Sequence, residues 1–166
     1  MTIDEVIRGR RTLKGFRPEP IAGEVIDELL DLAVYAPNHH ATEPWRFIVI
    51  GQETIARLVA ATDDAKLTRS PTAIVVTQVV DADADTARED YAACACAIQT
   101  LMLAARGRDI ASYWRTPKSI LTPAAAEILG LDGGEKPVGL VHIGLPRGGF
   151  PAPPRRTAGT RTRRLA

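Results

Sequence analysis

The passage from a predicted helix to a predicted strand reads Ala36-Pro37-Asn38-His39-His40-Ala41-Thr42-Glu43-Pro44-Trp45-Arg46-Phe47-Ile48-Val49-Ile50. The helical pattern stops at Pro37, and polar and turn-forming residues follow it. A β-branched strand then begins at Phe47. The segment puts imidazole nitrogens, an amide and an indole on a loop held between two rigid elements, where binding groups tend to lie. We therefore expect this loop to contribute to a ligand site.

A second cluster, at the end of the first predicted helix, reads Arg10-Arg11-Thr12-Leu13-Lys14. It places bidentate guanidinium donors and a hydroxyl within one short turn, which suits a phosphate dianion. A basic helix end that favours the helix dipole explains the same residues equally well. With the loop, however, the cluster predicts a site for a phosphate-bearing ligand with a flat heterocycle.

Size and composition predict one domain with an ordinary core. The chain has 166 residues, of which 45% are hydrophobic and 25% charged, as in a typical globular protein. Only 5% are aromatic, so the core must be built mainly from Ala, Val, Ile and Leu. No apolar run approaches the roughly 20 residues that span a bilayer. The first residues lack the basic-then-apolar order of a secretory signal, and we expect a cytoplasmic protein without membrane partners.

The charge is unevenly distributed along the chain. Residues 147–166 contain six arginines and no acid, whereas residues 1–146 contain 15 bases and 20 acids, a balance of −5. Such a tail could bind nucleic acid. We consider this the weakest interpretation, because the tail has no aromatic residue other than Phe150. It could also be a flexible end, or an arm that docks on an acidic partner subunit.

Hydrophobic periodicity and turn residues predict five helices and four strands. The helices are expected at 3–10, 23–35, 53–61, 86–106 and 123–129, and the strands at 46–50, 72–80, 110–114 and 137–144. This alternation indicates an α/β or α+β domain with three layers. The long helix 86–106 carries an apolar stripe rich in small side chains, which comprises Ala87, Tyr91, Cys94, Ala95, Ile98, Met102 and Ala105. It either crosses a second helix or a symmetry mate closely, or is an ordinary buried helix.

The sequence shows no nucleophile motif and no nucleotide-binding fingerprint. Cys94 and Cys96 lie two residues apart on a predicted helix, so they point to different faces and do not form a metal pair. His142 lies within an apolar run and is expected to be a packed strand residue. We therefore predict no catalytic side chain of the acid–base or nucleophile type and no metal site.

The chain resembles the nitroreductase family of FMN-dependent oxidoreductases. Three motifs carry the resemblance and occur in the family's order: Arg10-Arg11-Thr12, Ala36-Pro37 with Pro44-Trp45-Arg46-Phe47 ahead of a strand, and Trp114-Arg115-Thr116. The resemblance predicts an FMN-binding domain over residues 1–146, followed by the Arg-rich tail 147–166. It implies an α+β fold with three layers (α/β/α), in which helices flank a mixed, mainly antiparallel sheet.

The resemblance also implies a homodimer with FMN at the subunit interface. By motif, Arg10, Arg11 and Thr12 would contact the phosphate and the pyrimidine side of the flavin. Tyr35 and His39 would close over it from the partner subunit. The other side of the flavin would be lined, partly by backbone groups, by Trp114, Arg115 and Thr116.

The implied activity is hydride transfer from NADH or NADPH to flavin N5, and then to a nitroaromatic, a quinone or a similar small acceptor. The flavin carries this chemistry, which is why no acid–base pair needs to be visible. A positive group near flavin N1, from Arg10 or Arg115, would stabilise the reduced ring. Residues 51–71 are short for the family and predict an open site with loose substrate preference. Two alternatives remain: a flavin carrier or sensor with little turnover, and a non-flavin interaction protein that acts through its basic tail.

Overall fold

The computed structural model describes residues 1–151 and 153–165; Ala152 and Ala166, which belong to the predicted tail, lie outside this part. The helices are α1 Ile3–Gly9, α2 Gly23–Ala33, α3 Gln52–Thr62, α4 Ala84–Gly107 and α5 Pro123–Leu129. The strands are β1 Trp45–Ile50, β2 Thr72–Val79, β3 Ala111–Arg115 and β4 Glu135–Gly144. The predicted helices and strands are all present, with boundaries shifted by a few residues.

Capping explains where the helices begin and end. Thr2 and Glu5 form the predicted capping box at α1, in which each side chain accepts a hydrogen bond from the other residue's backbone N–H. The helix α4 begins two residues before the predicted Thr86, because the carboxylate of Asp83 accepts the backbone N–H of Thr86 at 2.8 Å. Gly130 ends α5 in the left-handed conformation, with φ +67°.

The sheet has the strand order β1-β2-β4-β3, and each neighbouring pair is antiparallel. The register of β2 and β4 shifts between Val76 and Thr77, which marks a bulge. The segment after α1 adds an isolated parallel bridge between Thr12 and Ser112. The α+β prediction is confirmed. The sheet was expected to be mainly antiparallel, and its four strands all pair in antiparallel fashion.

The sheet is buried on both faces, which confirms the three layers. In β2, Ile74 and Val76 pack with α2 and α4, whereas Ala73 and Val75 pack with α3 and α5. This strand is buried at every position but its last, as expected for a strand covered from both sides. In the part of the chain that the structure describes, no helix combines the length and apolar character needed to cross a bilayer.

The small side chains of α4 allow α2 to approach it closely. Ala97 and Ala105 of α4 have no exposed surface, and Leu29 of α2 is equally buried in the same cluster. The crossing of a second helix that the small-residue stripe predicted is therefore present within the chain. Tyr91 was expected on the buried stripe but is 50% exposed. The buried face of α4 instead includes Leu101.

His142 is a fully buried residue of β4, as predicted. Its Nδ1 lies 2.9 Å from the Ser70 hydroxyl, which itself donates to the Thr72 carbonyl at 2.6 Å. Since that hydroxyl has only one proton, Nδ1 of His142 must carry the imidazole proton and donate to Ser70. Burial, followed by the nearby charge of Arg115, lowers the pKa of His142 to about 4.

This buried imidazole predicts a component of stability that is lost in mild acid. Between about pH 6.5 and pH 4 the unfolded chain binds a proton at His142 and the folded chain does not, so stability decreases as the pH falls. We expect the unfolding free energy to decrease by about 3 kcal/mol across this pH range because of His142. His142→Phe should flatten the dependence, measured by chemical denaturation at several pH values in that range. Equal slopes for wild type and His142→Phe would contradict the assignment.

Candidate functional site

The basic cluster 10–14 lies along the free edge of β3. Arg10 ends α1, with its backbone N–H donating to the Val6 carbonyl at 2.9 Å. The chain then pairs with β3 through the Thr12–Ser112 bridge, and the Leu13 N–H donates to the Ser112 carbonyl at 3.2 Å. Residues 12–14 therefore lie beside Ser112 and Tyr113, directly before the Trp114-Arg115 motif, which is about 100 residues away in sequence.

Four arginines surround a pocket at this edge, which we call the arginine pocket. Its volume is about 540 Å³, and it is lined by Ile7, Arg8, Arg10, Arg11, Gln99, Pro153, Pro154 and Arg155. Burial, then the charges of Arg11 and Arg155, lower the pKa of Arg10. No Asp or Glu lines this pocket among the residues that the structure describes. Its positive charge is therefore suited to an anion.

The guanidinium of Arg11 is largely occupied by backbone carbonyls. Its Nη1 donates to the carbonyls of Arg8 at 2.6 Å and Arg10 at 2.7 Å, and its Nη2 donates to that of Pro153 at 3.2 Å. Arg11 thus ties the end of α1 to the C-terminal tail. Of the two predicted arginines, Arg10 is the one whose guanidinium has no protein partner among the described hydrogen bonds and ion pairs.

The third motif extends from β3 into the loop that follows it. The Trp114 indole packs on Gly139 of β4, where a Cβ would lie only 2.0 Å from Nε1. Because no side chain other than hydrogen fits there, Gly139 sets the position of the indole. Thr116 donates its hydroxyl to the Val138 carbonyl at 3.0 Å. The indole N–H of Trp114 is buried and has no hydrogen-bond partner in the described chain.

Arg115 forms a largely buried ion pair that the sequence did not predict. Its Nη2 lies 2.7 Å from Oδ2 of Asp64, and the Ser119 hydroxyl donates to the same oxygen at 2.8 Å. Burial would raise the pKa of Asp64, but the hydrogen bond from Ser119 and the charge of Arg115 outweigh it and lower the pKa. The Nη1 of Arg115 is buried without a partner in the described residues. One face of the guanidinium is therefore neutralised and the other is not.

We predict that Asp64→Asn destabilises the protein by about 3 kcal/mol, because it leaves the Arg115 charge buried without its counterion. The side chains of this pair are only 16% and 17% exposed. The matched control is Asp85→Asn, whose pair with Arg88 is 76% and 80% exposed. That control should leave the unfolding free energy unchanged. Chemical denaturation measures both, and equal small effects would show that the Asp64 pair is effectively solvated.

The histidine loop is held in an unusual backbone conformation. His40, Ala41 and Glu43 all have positive φ, between 47° and 62°, a region that costs non-glycine residues energy. The side chain of Asn38 stabilises it, since its Oδ1 accepts the Glu43 backbone N–H at 2.7 Å. Thr42 anchors the loop to α4 by donating its hydroxyl to the buried Asp90 at 2.5 Å.

His39 and Tyr35 lie at the surface beside this loop. The His39 ring stacks on His40 with 3.7 Å between centroids, and its Nδ1 is 2.5 Å from Glu89 of α4. The hydrogen bond from His39 lowers the pKa of Glu89. Potential metal-ligating atoms of His39, His40 and Glu89 lie within 4.8 Å of one another, although all three residues are exposed. Tyr35 is 84% exposed and packs on little of its own chain.

Within one chain the two predicted clusters lie apart. His39 contacts Glu89, whereas the arginine pocket that contains Arg10 is lined by Gln99 of the same helix. Ten helical residues correspond to about 15 Å. The structure thus brings Thr12 beside Ser112, two residues before Trp114, and leaves His39 at the N-terminal part of α4.

Sequence reasoning missed several residues of the site. Asp64 pairs with Arg115 and Glu89 hydrogen-bonds to His39, but nothing in the sequence distinguishes these two acids from the others. Tyr113 lies between two cations, with Nζ of Lys14 at 5.6 Å and Cζ of Arg69 at 5.7 Å from its ring centroid. Its place beside Trp114 in a strand, with side chains alternating across the sheet, is the signal that could have indicated it.

Comparisons with known proteins agree with this architecture. The sequence profile described as Nitroreductase family matches residues 7–65 and 60–145. The Bacillus subtilis protein YfhC, whose name assigns it provisionally to the NAD(P)H nitroreductases, is 30% identical over 161 residues, covering 86% of this chain and 83% of YfhC.

Solved structures share the fold over nearly the whole chain. A nitroreductase-like family protein from Bacillus cereus is 26% identical with a TM-score of 0.89, and the match covers 99% of this chain and 96% of that one. A nitroreductase with bound FMN from Bacteroides fragilis is 24% identical with a TM-score of 0.79, covering 99% and 100%. The family profile and the relatives therefore lead to one conclusion: the chain belongs to the nitroreductase family.

Proposed function

We propose that this protein is an FMN-dependent oxidoreductase that passes hydride from NADH or NADPH to a nitroaromatic, a quinone or a similar small acceptor. The observation that carries the proposal is the arginine pocket between the end of α1, α4 and the tail, which offers a positive, partly buried site for a phosphate in a chain of this family. The FMN bound to the Bacteroides fragilis nitroreductase and the name of YfhC support the cofactor and the reductant.

The residues of this edge fit a flavin nucleotide. Arg10 and Arg155 would hold the phosphate in the arginine pocket, and the exposed hydroxyl of Thr12 lies next along the strand. Arg115 would meet the ring with its backbone and with the buried Nη1 that has no partner in the described chain. Arg11 would act indirectly, by keeping the tail with Arg155 in place. Bound FMN would supply the hydride chemistry, while these residues bind and orient it.

The proposal requires a homodimer. His39, bonded to Glu89, is about 15 Å along α4 from Gln99 of the arginine pocket, so it and the nearby Tyr35 would serve the cofactor of a second copy. Large apolar side chains are exposed on α1 and α4, among them Ile3 at 66%, Ile7 at 54% and Tyr91 at 50%. Exposed apolar groups of this kind favour a surface that another chain covers. A cytoplasmic location remains a prediction from the sequence.

The proposed function is tested by the visible absorbance of the purified protein and by turnover. We expect bound flavin to remain after desalting, and NADH or NADPH to be oxidised when a nitroaromatic or quinone is added. Bound flavin without turnover would indicate a carrier or sensor instead. A protein that stays colourless after addition of FMN and desalting would contradict the proposal and favour an interaction role for the basic tail.

Arg10→Ala should weaken FMN binding by about 1.5–3 kcal/mol, the range for a hydrogen bond to a charged group. The matched control is Arg88→Ala, an exposed arginine that pairs with Asp85 on the first turn of α4. It should leave FMN affinity unchanged. Titration of the apoprotein with FMN, followed by flavin fluorescence, measures both. Unchanged affinity in Arg10→Ala would remove this residue from the phosphate site.

Mixed dimers test whether two subunits share each site. If each site takes Arg10 from one protomer and His39 from its partner, a dimer of one Arg10→Ala and one His39→Ala protomer has two unequal sites. One site carries both substitutions, and the other site carries neither. We therefore expect mixed dimers to bind about half the wild-type FMN with wild-type affinity, as simple counting of sites requires. Uniformly weakened sites would show that one chain supplies both groups.

A further inference from the structure

A second pocket lies away from the arginine pocket, beside the first turns of α3. We call it the α3 pocket; its volume is about 380 Å³, and its walls include Phe16, Arg17, Ile55, Arg69, Pro71 and Arg147. Small-molecule sites have volumes from about 300 to 1,000 Å³. No function assigned above uses this pocket.

The polar side of the α3 pocket is positive and lacks a counterion. Arg17, Arg69 and Arg147 line it, and no Asp or Glu does so among the described residues. In the described chain, none of these three arginines has a carboxylate oxygen within the 4.0 Å of an ion pair. Arg17 donates its Nε to the Pro146 carbonyl at 3.1 Å, which leaves its terminal nitrogens free for a ligand. Guanidinium groups arranged in this way favour a planar anion such as a carboxylate.

The other side is apolar. Phe16 is 4% exposed and Ile55 is also 4% exposed, so both present a fixed hydrocarbon wall to the pocket. Pro71 adds a third rigid apolar surface. A ligand with only charge, such as inorganic phosphate, would leave this wall in contact with water. An aromatic ring attached to the anion would cover it and gain the hydrophobic contribution as well.

The pocket is formed by backbone pairing and does not need a ligand to shape it. Phe16 bridges Pro146, the Arg17 N–H donates to the Leu145 carbonyl at 2.9 Å, and the Arg147 N–H donates to the Gly15 carbonyl at 3.1 Å. These contacts fix two of the three arginines on adjacent chain segments. The pairing fixes the backbone of Arg17 and Arg147, whereas their exposed side chains lose rotamer freedom when a ligand binds.

We propose that the α3 pocket binds a small aromatic monocarboxylate. The ring lies against Phe16, Ile55 and Pro71, and the carboxylate accepts hydrogen bonds from the arginines. The site is distinct from the arginine pocket, because the two share no lining residue. This proposal does not depend on flavin chemistry, and it stands or fails on binding alone.

Calorimetric titration of the full chain, saturated with FMN where FMN binds, tests the proposal with benzoate, its neutral analogue benzamide, and inorganic phosphate. We expect benzoate to bind at least about tenfold more tightly than either of the others, the effect of one charge-assisted contact or one buried ring. Equal binding of benzoate and benzamide, or of benzoate and phosphate, would overturn the proposal.

Two variants locate the site. Arg147→Gln should weaken benzoate binding about tenfold, whereas Arg163→Gln, in the exposed tail, should change it less than about twofold. Ala56 lines the pocket on the exposed side of α3, so Ala56→Met should block the ring while preserving the helix. Thermal unfolding verifies that each variant is folded. Benzoate affinity that is unchanged in both Arg147→Gln and Ala56→Met would place the ligand elsewhere and refute the proposal.

Discussion

The pairing of residues 12–17 with the far side of the sheet is the constraint on which the rest of the site depends. Thr12 bridges Ser112 of β3, and Phe16 bridges Pro146 just after β4. These contacts join the first few residues of the chain to its last strand. They bring Arg10 to the edge where Trp114 lies, and they bring the chain after β4 back toward α1. Without them neither the arginine pocket nor the α3 pocket would have its walls.

The sequence predicted the elements well because each is governed by local signals. The two-sided apolar character of β2, the capping box at Thr2 and the breaks at Pro37 and Gly130 all act within a few residues. The buried face of α4 was harder to predict. A mixture of small and large apolar residues permits more than one buried stripe, and only the position of α2 places Leu101 inside and Tyr91 at the surface.

The sequence could indicate residues of the candidate site only where they belong to a short motif along the chain. The sequence indicated the Arg10-Arg11-Thr12 and Trp114 motifs, and the fold pairs Thr12 with Ser112 on the strand that contains Trp114. The ion pair of Arg115 with Asp64 joins residues 51 positions apart, and no local pattern could reveal it. Likewise, Arg11 looks like a second phosphate ligand in sequence, yet alternation along an extended chain turns it toward the carbonyls of Arg8 and Pro153.

The tail explains how so many arginines can lie together. Among the described residues it is held without an acid: Arg11 donates to the Pro153 carbonyl at 3.2 Å, and the Arg106 guanidinium lies 4.1 Å from the Phe150 ring centroid. Docking the tail also brings Arg155 toward Arg10, and this repulsion contributes to the lowered pKa of Arg10. An anion in the arginine pocket offsets that repulsion. By linkage, the docked tail then strengthens anion binding, and a bound anion strengthens docking of the tail by the same free energy.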